Sequence, residues 1–125
     1  MKRIVDAVLA EWVAEKGRNP LLVRGARQVG KTFSVRALGN TFRYFAEVNF
    51  EEKPDAGIFF KGALSARPIC EKLSAFTGVP IVPGETLLFF DEVQACPEAL
   101  ASLRYFHEQI PELHVAAAGS LLAFA

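Results

Sequence analysis

The chain has 125 residues, 51% of them apolar, which suits one domain built around a single core. Its 14 basic and 14 acidic side chains cancel, excluding a global field that would steer it toward nucleic acid or an anionic membrane. Cys70 and Cys96 have neither CxxC nor Cys/His spacing, which argues against a disulfide framework or a zinc site, and no run reads as a signal peptide or membrane span, so a soluble, cytoplasmic protein is expected.

In chain order, Ile4, Val5, Val8, Leu9, Trp12 and Val13 form one helical stripe, predicting an amphipathic helix over 1–16 that Gly17 ends. Pro20 then opens Leu21-Leu22-Val23, an apolar run of the kind buried on both faces of a parallel sheet. Lys31 to Leu38 reads as a helix stopped by Gly39-Asn40. The alternation of Phe42, Tyr44, Ala46, Val48 and Phe50 predicts a strand near a sheet edge with one wetter face. After a polar loop and an ambiguous stretch, Ile69, Leu73 and Phe76 mark a helix that Gly78 terminates. Pro80, Pro83 and Gly84 favour a connector, and Leu87-Leu88-Phe89-Phe90 is a fully buried strand ending in Asp91-Glu92. Pro97 opens a helix with Leu100, Leu103 and Phe106 inward, and His114 to Ala118 is a fourth strand stopping at Gly119-Ser120. Strands alternating with helices predict a parallel α/β sheet with right-handed crossovers. No charged side chain follows Glu112, and this ending reads as a polypeptide cut inside a larger domain.

Gly25, Gly30, Lys31 and Thr32 match GxxxxGK[ST] between a buried strand and a helix. Glycine lets successive N–H groups turn inward onto phosphate oxygens, and the following helix adds the positive end of its dipole. Lys31 brings a point charge to the β- and γ-phosphates, and Thr32 offers a hydroxyl to Mg2+, a hard cation that prefers oxygen. The expected ATP-binding set is Gly25, Ala26, Arg27, Gln28, Val29, Gly30, Lys31 and Thr32, with Thr32 also a metal ligand. Arg27 reads either as a direct phosphate contact or as a solvated loop arginine.

Four apolar residues followed by Asp91 and Glu92 fit a second nucleotide-binding element, in which Asp91 orients magnesium through its waters. Glu92 is placed to accept a proton from water attacking the γ-phosphate, which favours hydrolysis over storage of nucleotide. Ligands of open α/β sheets bind beyond the carboxyl ends of the strands, so the strands ending at Gly25, Asp91 and Ser120 should meet there. The Ser120 hydroxyl then senses the γ-phosphate or holds the attacking water; capping the next turn is the alternative. His107 and His114 have no partner in sequence and suit surface or strand-end roles rather than a metal site. The 11 phenylalanines and Trp12 fit core packing better than base stacking. Gln94 reads either as a residue at the mouth of the site or as the polar start of a loop.

LLVRGARQVGKT, LLFFDEVQ and VAAAGSLL, with the short helix before them, resemble the AAA-superfamily P-loop ATPases, specifically a bacterial and archaeal group with a C-terminal domain of unknown function. The resemblance covers essentially all of 1–125 and implies a three-layer α/β/α P-loop NTPase with a parallel sheet, truncated after its fourth strand. The helix of 1–16 would precede a nucleotide-binding core at 20–125. It implies Lys31, Glu92 and Ser120 as catalytic positions and Thr32 and Asp91 as metal positions. A lid, a second sensor and an arginine finger belong to the group but not to these residues, so the intact parent is expected to hydrolyse ATP and this piece to be weak or inactive. The competing reading is a nucleotide-dependent sensor or scaffold that binds ATP without turnover; a GTPase is disfavoured because no NKxD motif occurs. Leu121, Leu122 and Phe124 would leave an apolar patch for self-association, and nucleic acid would be met only through a missing C-terminal part.

Overall fold

The computed structural model describes residues 4–15, 19–25, 29–62 and 65–120, and side chains over 9–15, 19–23, 33–62 and 65–119. The first helix, α1 (Ile4–Ala14), buries Leu9 and Trp12, and the Trp12 indole Nε1 donates to the Asn19 carbonyl at 2.7 Å. Helix α1 therefore ends by Ala14, short of the expected 16; Met1 to Arg3, Lys16 and the stop at Gly17 lie outside the described residues.

Four strands follow: β1 (Leu21–Gly25), β2 (Tyr44–Asn49), β3 (Thr86–Asp91) and β4 (His114–Ser120). They form one parallel sheet in the order β1-β4-β3-β2, with Leu21 beside Ala116, Leu87 beside His114 and Tyr44 beside Thr86. Strand β3 has a neighbour on each side and is buried along its whole length, as its apolar run requires. Strand β2 lies at an edge, with Ala46 and Val48 buried and the residues between them half-buried, which matches its alternating sequence. Strand β1 corrects the expectation of burial on both faces. Its only sheet neighbour among the described residues is β4, so Leu21, Leu22 and Val23 are half-buried.

Helices α2 (Val29–Gly39), α3 (Ala66–Thr77) and α4 (Pro97–Gln109) complete the main elements, with two 3-10 turns, η1 (Pro54–Phe60) and η2 (Val93–Ala95). The period of two along a strand divides the core into two faces. Leu87, Phe89, Ala116 and Ala118 face α1 and α2 through Trp12 and Val35. Leu88, Phe90, Val115 and Ala117 face α3, α4 and η1 through Ile69, Leu73, Phe106 and Phe60. The result is the expected three-layer α/β/α arrangement.

On the second face the rings of Phe50, Phe60 and Phe106 surround Phe90 at centroid distances of 5.7, 5.5 and 6.0 Å. Exposed Phe33 and Phe76 depart from the core role expected of the phenylalanines, although Phe76 stands edge-on to Phe59. Gly78 stops α3 in the left-handed conformation, φ 73°, where its N–H bonds to the Ser74 carbonyl. In α4 the buried stripe is Ala99, Ser102 and Phe106, with Leu100 and Leu103 at its margin, because small residues let the helix lie close to η1 and η2. Thr86 pins the proline-rich connector by donating to the Pro80 carbonyl and accepting from the Val82 N–H. His114 begins β4, as expected for a strand end, but it is buried, edge-on to the Trp12 and Phe42 rings. Its Nε2 lies 3.3 Å from the Val13 carbonyl, to which it donates in the tautomer protonated on Nε2. No helix among the described residues is long and apolar enough to cross a membrane.

Candidate functional site

Strand β1 ends at Gly25 and β4 at Ser120, directly paired in the parallel ladder, while β3 ends at Asp91 beside Asn49 of β2. The carboxyl ends of all four strands thus form one rim. Helix α2 starts at Val29, two residues before the predicted Lys31, so Gly30, Lys31 and Thr32 occupy its first turn. It packs on β3 and β4, which brings its positive dipole end to the rim that carries Asp91. No acidic side chain lies in that first turn. Ala26, Arg27 and Gln28 lie outside the described residues, as do the side chains of Lys31, Thr32 and Ser120. Leu121, Leu122 and Phe124 also lie outside them.

Asp91 is only 4% exposed, and its Oδ1 accepts the Glu92 N–H at 2.9 Å. Alongside it, Asn49 Oδ1 accepts the N–H groups of Glu51 and Glu52, turning the chain away from the end of β2. The ladder runs one step further through the Phe50 N–H to the Asp91 carbonyl. Glu92 then adopts a left-handed conformation, φ 49° and ψ 48°, the single non-glycine residue with positive φ among those described. That reversal starts η2, whose Val93 is fully buried, and the Ala95 N–H closes onto the Glu92 carbonyl at 3.0 Å. Gln94 Nε2 donates to Glu92 Oε1 at 2.8 Å. Gln94 therefore lies at the acidic pair and is more than the polar start of a loop.

Two residues at this rim escaped sequence reasoning. Arg36 of α2 grips Glu47 of β2 in a bidentate pair, Nε to Oε1 at 2.8 Å and a terminal nitrogen to Oε2 at 2.7 Å. The hydrogen bond and charge of Glu47 raise the guanidinium pKa above its ordinary value, and Asp91 and Glu52 add smaller contributions. Arg36 lies one helical turn beyond Thr32, and the strand period puts Glu47 on the same face as Phe45. Those spacings were readable; the pairing of α2 with β2 was not.

Among the described residues no group of three or more His, Cys, Asp or Glu side chains could hold a metal by itself. A buried carboxylate at a strand end, as at Asp91, suits a cation that keeps most of its waters and takes other oxygens from phosphate. Cys70 and Cys96 are free thiols. Burial pushes the Cys70 thiol up to about 11. A family model described as an AAA domain matches residues 17–125. A search of curated proteins gives no match.

Proposed function

Because the chain belongs to the AAA domain family and so contains a nucleotide-binding AAA-type P-loop ATPase domain, we propose that it binds ATP with Mg2+ at the strand rim and hydrolyses it. The observation that carries this reading is the convergence of Gly25, Asp91 and Ser120 on neighbouring strand ends, with α2 beginning beside them. In this reading the N–H groups from Gly25 to Thr32 cradle the phosphates and Lys31 neutralises the β- and γ-oxygens. Thr32 and Asp91 would hold magnesium, Asp91 through coordinated water, which suits a buried carboxylate at the end of β3. When bound there, magnesium would supply positive charge against the phosphate oxygens. Glu92 takes the proton of the water that attacks the γ-phosphorus, ADP departs with the bridging oxygen, and Ser120 orients the water or the γ-phosphate. In this reading α1 and the core at 20–125 act as one unit, since α1 packs against α2.

Phosphate release by the intact protein, measured with and without magnesium, tests this. Glu92→Gln should retain ATP binding while turnover falls at least about 100-fold, the scale of a lost general base, and Lys31→Ala should lose binding. Turnover unchanged in Glu92→Gln refutes the assignment of the base. Tight binding without turnover in the unaltered intact protein assigns a nucleotide-dependent scaffold instead.

A further inference from the structure

We infer that Gln94 is a positioning residue for Glu92, fixing the carboxylate that the proposed reaction uses as its base. The inference rests on that role of Glu92. A glutamate side chain has three rotatable bonds, and a base left to explore them spends little time facing the attacking water. Here the Gln94 amide holds Oε1 at 2.8 Å, and Gln94 is itself mounted on a rigid turn. Val93 beside it is fully buried, and the Ala95 and Cys96 N–H groups bond back to the Glu92 and Val93 carbonyls at 3.0 Å each. The hydrogen bond spans only two residues, so it forms without nucleotide and orients the base before the substrate arrives.

The residue type fits the task. A neutral amide donor fixes the carboxylate without cancelling its charge, whereas lysine at this position would draw it into an ion pair and weaken it as a base. The left-handed backbone at Glu92 is the local geometry that brings the two side chains together.

The test is steady-state turnover and nucleotide affinity in the intact protein for Gln94→Ala, Gln94→Lys, Glu92→Gln and the double variant Glu92→Gln/Gln94→Ala. Gln94→Ala should lower kcat on the order of ten-fold, the effect of a misdirected reacting group, with the ATP dissociation constant unchanged, and Gln94→Lys should lower kcat further. In the Glu92→Gln background, Gln94→Ala should change nothing more, because there is no base left to position. An unchanged or raised kcat in Gln94→Ala overturns the inference, and so does an equal loss in both backgrounds, which marks a merely structural role. If Glu92→Gln itself keeps full turnover, the assignment of the base fails, a result distinct from failure of Gln94 alone. Thermal melting of each variant separates loss of folding from loss of positioning.

Discussion

Glu92 stands where glycine would be more comfortable. A left-handed φ of 49° costs an L-residue roughly 1–2 kcal/mol, because Cβ crowds the following carbonyl. Glu92→Gly relieves that cost but gives the unfolded chain about 0.5–1 kcal/mol of extra conformational freedom relative to alanine. The net expectation is that Glu92→Gly is more stable than Glu92→Ala by about 0.75 kcal/mol, within a span of about 0–1.5 kcal/mol. For a chain of 125 residues that difference separates the two melting temperatures by about 2–4 °C. Neither variant retains the hydrogen bond to Gln94, so the comparison isolates the backbone. Thermal unfolding followed by circular dichroism, with ATP turnover measured on the same preparations, is the assay, and both variants should lack turnover. A more stable alanine variant refutes the argument that this turn is strained. The expected outcome shows that the backbone at Glu92 is strained, as is common where a fold stores strain at a functional site.

Two other expectations follow from the packing. A Cβ at Gly39 would meet the Phe45 ring, with Cγ only 2.6 Å away, and that ring is stacked on Phe89, so Gly39→Ala should cost about 1–3 kcal/mol in a denaturant titration; an unshifted midpoint contradicts the packing. Cys70 has its thiol raised to about 11 by burial, so the folded state holds this proton where the unfolded state, near 9, releases it. Its contribution is complete below pH 9 and is lost as pH rises toward 11, a slope that Cys70→Ser should remove from stability measured against pH.

Much of the arrangement was readable because it is written in local patterns. The GxxxxGKT spacing, the four apolar residues before Asp91-Glu92 and the alternation of β2 each specify an element from its own residues. What sequence could not supply were facts set by neighbours. The apolar run of β1 cannot say that β4 is its single described neighbour, and so it overstated burial. Arg36 and Glu47 lie on different elements and meet only once α2 crosses the sheet. His114 looked like a strand-end residue and became a core ring because Trp12 and Phe42 close over it. At the candidate site, the acidic pair and its strand end were legible, but the reversal at Glu92 and its clasp by Gln94 belong to a turn, with Val93 buried in it, that no local pattern announces.

The unequal support of the strands makes the rim uneven in compliance. Strand β3 is bonded on both sides, buried on both faces, and joined through Phe90 to three neighbouring rings, so Asp91 is mounted on firmly packed backbone. Strand β1 is half-buried, with one sheet neighbour among the described residues, and it leads directly into the glycine loop. The acidic half of the rim is thus held from two sides of the sheet, and the strand that ends at Gly25 from one side among the described residues.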